Sequence, residues 1–196
     1  HLRPNPRGRD NADLVLDGDG LSLVSITMDD KLLLPDDYQV TPESLHIANP
    51  PRRAFTLCIE TEIDPAANSR LMGLYRSNGI YCTQCEADGF RRITYFMDRP
   101  DVMSVYTVLL EADLQEAPVL LANGNCVSTG HVPGTDRHFA IWHDPHPKPA
   151  YLFALIGGVL ESLKQDYVTA SGVSVELAIW VEPGKRARAS YAMDAL

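Results

Sequence analysis

The sequence predicts an all-β protein, built as a sandwich or barrel-like set of short strands, with a short helix starting only at its C-terminal end. Three observations carry this expectation. Over residues 54–63 the chain alternates strictly: Phe55, Leu57, Ile59, Thr61 and Ile63 point one way, and Thr56, Cys58, Glu60 and Glu62 the other. The same period returns in Val173, Val175, Leu177, Ile179 and Val181, after a Ser171-Gly172 turn signal and a partner strand over 164–169, which predicts a C-terminal hairpin. Before Arg188 no stretch holds a helical period over three turns.

The remaining elements follow from short apolar runs between turn signals. Strands are expected over 14–16, 21–28, 45–47, 102–112, 119–122, 138–142 and 151–156, with turns at Asp17-Gly18, Asn78-Gly79 and Asn123-Gly124. Residues 65–70 form a loop or single turn. The proline-rich stretch 143–149 lies between strand-like segments, which favours a crossover within one domain over a linker. The domain boundary is placed at Glu182-Pro183-Gly184, where the composition turns helical and basic. Residues 1–183 then form one β domain, and 184–196 begin a linker or helix, the last eleven residues being helical in character. His1 stands where Met would begin a chain, so both ends are expected to be cut.

Composition excludes several classes. With 26 acidic against 17 basic residues and a net charge of −9, the chain lacks the basic stripe that displaces counterions from nucleic acid. No apolar run approaches the roughly 18 to 20 residues a membrane helix needs. Four cysteines, Cys58, Cys82, Cys85 and Cys126, are too few and too irregularly spaced for a disulfide scaffold, and are expected as reduced thiols in a cytoplasmic protein.

The densest polar segment is SNGIYCTQCEADGF, residues 77–90. If residues 80–86 are extended, Gln84 and Glu86 emerge on one face and Cys85 on the other. A carboxylate beside an amide oxygen suits an ammonium group, since both accept hydrogen bonds and the acid balances the charge. Spacing alone favours a plainer assignment, a surface Glu86 paired with Arg91 or Arg92. A zinc site from Cys82, Cys85, His143 and His146 is a weaker alternative, the gap between the pairs giving it little specificity. None of the six histidines is followed by Glu, so the His-Glu-x-x-His set of a zinc peptidase is absent. There is no phosphate loop and no nucleophile elbow. Further on, Arg91 and Asp98 flank an apolar stretch and can form a buried pair that fixes the chain crossing, while Pro100 limits regular pairing after it.

Residues 81–101, YCTQCEADGFRRITYFMDRPD, resemble the N-terminal domain of the bacterial aminopeptidase N family, zinc metallo-aminopeptidases of the M1 group. LANGN at 121–125 and DPHPKPAYLFA at 144–154 are similar to the same family in the same order. The resemblance implies a saddle-shaped β domain leaning on a catalytic domain outside this chain. It implies that Glu86 binds the α-ammonium of a peptide substrate and that Gln84 shapes the pocket. Arg91, Asp98 and Pro100 match scaffold positions, although Arg99 stands where many relatives have Glu. No catalytic residue and no metal ligand is expected here: the zinc ligands belong to absent domains, so the segment alone is expected to be inactive and to bind no cofactor. The family also has strand sequence ahead of the position matching His1, so the domain is expected to lack its first strands. Expected partners are peptides, through their free amino terminus, and the catalytic and C-terminal domains of the same bacterial, cytoplasmic protein. The rival from another class is a stand-alone β-sandwich module that binds peptides or other ligands without chemistry.

Overall fold

The computed structural model describes residues 1–6, 8 and 12–196. The first half of the chain contributes β1 (Leu14–Asp17), β2 (Ser22–Met28), β3 (Lys31–Leu32), β4 (Tyr38–Thr41), β5 (Ser44–Ile47) and β6 (Leu57–Glu62). They form two antiparallel sheets ordered β1-β5-β4 and β3-β2-β6. In β6 the expected alternation holds, with Leu57, Ile59 and Thr61 half-buried and Cys58, Glu60 and Glu62 exposed. Ile26 of β2 lies opposite Ile59 and joins Leu16, Leu45, Ile47 and Tyr95 in a first core.

The next strands are β7 (Gly73–Ser77), β8 (Ile80–Gln84), β9 (Ser104–Asp113), β10 (Val119–Ala122), β11 (Asn125–His131), β12 (Arg137–Lys148) and β13 (Leu155–Gly158). They make a four-stranded sheet ordered β10-β13-β8-β7 and a three-stranded sheet ordered β11-β12-β9. A second core of Cys85, Phe90, Tyr106, Ala150 and Phe153 brings together the turn after β8, strand β9 and the segment before β13. The chain closes with the two-stranded hairpin β14 (Glu161–Val168) and β15 (Ser174–Val181), then helix α1 (Ala189–Ala195). The protein is thus mostly β, in several sheets, with one short C-terminal α-helix among the described residues.

Three local expectations are corrected. Residues 143–149 are not a crossover: β12 runs on to Lys148 and pairs with β9, with a register irregularity between Asp144 and Lys148. That irregularity accommodates Pro145 and Pro147, which have no N–H to give a ladder. Residues 151–156 are not one strand, because a single 3-10 turn at Ala150–Leu152 precedes β13. The terminal helix begins at Ala189 rather than 186, after a 3-10 turn over Arg186–Arg188. Strands β3, β4, β7 and β11 lie outside the expected set; β11 is exposed over most of its length, so no face of it carries an apolar period.

Candidate functional site

Strands β7 and β8 form a hairpin on Asn78-Gly79, both at positive φ (49° and 81°), the conformation that two-residue hairpin turns require. On its other side β8 pairs with β13 through Cys82 and Ile156. At Gln84 the strand ends and the chain folds back, the Gly89 N–H donating to the Cys85 carbonyl at 2.8 Å. A Cβ at position 89 would sit 2.4 Å from the Gln84 carbonyl oxygen, so only glycine lets the turn close this tightly. Gln84 and Glu86 are exposed while Cys85 is buried, but the extended segment ends at Gln84 rather than at the expected 86, and Glu86 lies in the turn that follows. The Gln84 Nε2 donates to the Glu86 backbone carbonyl oxygen at 3.1 Å, which orients the amide and leaves its Oε1 free to accept. The Glu86–Ala87 peptide bond is cis.

Beneath this polar edge the anchors are apolar. Cys85 and Phe90 enter the second core, where the Phe90 ring meets Phe96 and Phe153 edge-on at centroid distances of 4.9 and 5.0 Å. Burial, reinforced by the nearby Asp98 carboxylate, pushes the Cys85 thiol up to about 12. Tyr106, buried beside the same groups, is likewise pushed up to about 12. Both stay neutral at physiological pH, and a neutral thiol is neither a nucleophile nor a metal ligand.

A second set of anchors is ionic. Asp98, 4% exposed, accepts hydrogen bonds at Oδ2 from the backbone N–H and the Nε of Arg91, each at 3.1 Å. Arg91 Nη2 donates to the Asp98 carbonyl at 3.0 Å, and the Asp98 N–H donates to Asp17 Oδ2 at 3.0 Å. The end of β1 is thereby tied to the segment after the site, since the backbones of Asp17 and Phe96 also exchange two hydrogen bonds. Pro100 occupies the second position of a turn closed by the Val102 N–H on the Arg99 carbonyl at 3.1 Å, where its fixed φ is suited. Asp17 is the partner that the sequence did not offer: its only signal was a turn dipeptide with Gly18.

The plainer assignment for Glu86 is not realised. Arg91 is committed to Asp98 and Asp17, and Arg92 to Asp19, while among the described residues the Glu86 carboxylate has no salt-bridge partner. Behind the turn a polar cavity of about 630 Å³ is lined by Asp19, Glu43, Arg70, Asp88, Arg91 and Arg92; neither Gln84 nor Glu86 reaches it. The four-residue zinc alternative also fails. His143 lies in β12, hydrogen-bonded to Thr107, and among the described residues no group of three or more His, Cys, Asp or Glu is placed to hold a metal.

Residues 21–152 match the family model described as the peptidase M1 N-terminal domain. The chain belongs to that family. It is 53% identical to the aminopeptidase N of Caulobacter vibrioides over 96% of its own length and 22% of that protein. It is 45% identical to the aminopeptidase N of Escherichia coli over 96% of its length and 21% of that one. Among solved structures, Legionella pneumophila aminopeptidase A in complex with aspartic acid superposes with a TM-score of 0.92 at 35% identity, over 97% of this chain and 22% of that one. An M1 zinc metallopeptidase from Deinococcus radiodurans shares the fold at a TM-score of 0.70 and 20% identity, over 88% of this chain and 40% of that one. This M1 N-terminal domain therefore spans about a fifth of the length of the curated relatives it matches. No helix among its described residues is long and apolar enough to cross a membrane.

Proposed function

We propose that the chain is the amine-recognising part of a zinc aminopeptidase that removes N-terminal residues from peptides. Glu86 pairs with the substrate's α-ammonium, and the Gln84 Oε1 accepts a second hydrogen bond from it. The zinc that activates water for amide hydrolysis is held by residues outside this chain, as are the catalytic groups. The compartment is the cytoplasm, in keeping with the reduced cysteines.

One observation supports this reading most: Gln84 and Glu86 are both exposed at and just past the end of β8, and among the described residues the Glu86 carboxylate has no salt-bridge partner, although two arginines stand five and six residues downstream. A carboxylate with no internal ion pair among the described residues can meet a cation from solution without first breaking one. The Cys85 and Phe90 anchors hold the turn in the substrate-ready geometry before binding, so little ordering entropy is lost when the ligand arrives.

The test is Glu86→Ala in the full-length protein, read on an aminoacyl anilide substrate. Removing one partner of a desolvated charge pair costs about 2 to 5 kcal/mol, so kcat/KM is expected to fall by roughly 100-fold with the melting temperature unchanged. A near-normal kcat/KM in a folded Glu86→Ala enzyme would remove Glu86 from the site.

A further inference from the structure

The polar cavity behind the Gly89 turn carries more charge than its own side chains use. Asp17, Asp19, Glu43 and Asp88 line it together with Arg70, Arg91 and Arg92. The pairing among them is lopsided. Arg91 is taken up by Asp98 and Asp17. Arg70 and Arg92 both reach the same atom, Asp19 Oδ2, Arg70 from 3.4 Å. One carboxylate therefore serves two guanidiniums, and the Nε–H of Arg92 is buried with no hydrogen-bond partner. A buried donor without an acceptor is costly, and native proteins keep few of them. At the other sign, neither Glu43 nor Asp88 has a salt-bridge partner among the described residues.

Unanswered groups of both signs thus share one space of about 630 Å³, within the roughly 300 to 1,000 Å³ of small-ligand sites. We propose that this cavity binds the zwitterion of a free α-amino acid. The ligand's carboxylate accepts hydrogen bonds from Arg92 Nε and from Arg70, whose exposed side chain is only loosely engaged by Asp19. Its ammonium pairs with Asp88 and Glu43. A plain anion would leave both free carboxylates unanswered, and a plain cation would leave the arginines so. A zwitterion answers both without adding net charge. The larger apolar side chains of the wall are only Met72 and Pro42, which suits a short ligand side chain. Free α-amino acids are the class of product released by the reaction proposed above. Their recognition in the cavity needs only the two charges and does not involve Glu86, which is not among the lining residues.

Met72 supplies a reporter inside the cavity. In the full-length protein with isotope-labelled methionine methyls, the Met72 signal being assigned through Met72→Leu, L-alanine is expected to shift that signal saturably. L-Alaninamide keeps the ammonium alone and N-acetyl-L-alanine the carboxylate alone, and each is expected to bind roughly tenfold more weakly. Asp88→Asn and Arg70→Gln, both at exposed positions, are each expected to raise the Kd for L-alanine roughly tenfold with the melting temperature unchanged. Glu86→Ala is expected to leave that Kd within about twofold. No saturable shift of Met72 overturns the proposal. Equal binding of either one-charge analogue overturns it in favour of a plain cation or anion site. A response abolished by Glu86→Ala and untouched by Asp88→Asn and Arg70→Gln overturns it too, because the signal would then be relayed from the amine site, and the reading of Glu86 would stand. Conversely, a normal kcat/KM in Glu86→Ala removes that reading without touching the Met72 titration.

Discussion

Hairpins β7–β8 and β14–β15 turn on the same device, a glycine at positive φ, Gly79 at 81° and Gly172 at 82°, yet the structure treats them in opposite ways. Strand β8 is paired on both sides, by β7 and β13, and runs straight into a buried aromatic cluster. Among the described residues, strands β14 and β15 pair in a sheet only with each other, with helix α1 packed against them. The first hairpin therefore presents polar groups on a rigid base, and the second presents apolar groups on a loosely supported one. The contrast locates two kinds of surface: a polar edge at the end of a strand paired on both sides, and an apolar face on a ribbon that joins no other sheet among the described residues.

The largest expected effect tests whether the base of the first hairpin is as stiff as its packing implies. Phe90→Ala in the 196-residue chain removes a ring that meets Phe96, Phe153 and Tyr106, and is expected to destabilise by about 4 kcal/mol. Leu177→Ala, at a half-buried place in β15, is expected to cost about 1 kcal/mol or less in the same chain. Urea denaturation reads both. Comparable losses would erase the distinction between the two hairpins.

Next in size is the ionic counterpart. Asp98→Ala leaves Arg91 without its buried carboxylate acceptor, while the backbone N–H of residue 98 keeps its bond to Asp17, and is expected to cost about 3 kcal/mol. Lys164→Ala breaks an equally short ion pair, but both of its side chains are about half exposed, so the expected loss is under about 1 kcal/mol. Chemical melts of the two variants show whether burial, rather than distance, sets the worth of an ion pair here. A Lys164→Ala loss as large as that of Asp98→Ala would say that it does not.

These pairs also show where sequence reasoning reaches. The alternation of β6 and β15, and the shared face of Gln84 and Glu86, are properties of neighbours along the chain, and neighbours are what a period of two reports. What lies under the site is not local. Asp17 meets Asp98 across 81 positions, and Phe90 packs on Phe153, so neither contact leaves a mark on a short window. The edge strand β11 escaped because, being exposed, it needs no apolar face. Glu86 itself was legible as an exposed acid, and so was the Arg91–Asp98 pair; that Asp17 would join Arg91 and that Asp19 would occupy Arg92 was not, since Asp17 and Asp19 carried no signal beyond a turn.

The smallest expected effect is a pH dependence led by the first hairpin's base. The Cys85 thiol is raised from 9.0 to about 12 and the Tyr106 hydroxyl from 10.0 to about 12, burial being the leading cause in each. Both groups are neutral when protonated. Above pH 9 the unfolded chain therefore releases a thiol proton that the folded chain retains, and release from the unfolded state favours unfolding. Stability is full below pH 9 and declines as pH rises towards 12, by about 2 kcal/mol at pH 10, most of it from Cys85. Comparing urea midpoints at pH 8 and 10 measures this decline, and Cys85→Val, which keeps an apolar plug without a titrating proton, is expected to abolish most of it. A decline of the same size in Cys85→Val would assign the alkaline sensitivity to groups away from the turn, and with it the view that the Gln84–Glu86 edge rests on a dry, neutral base would fall.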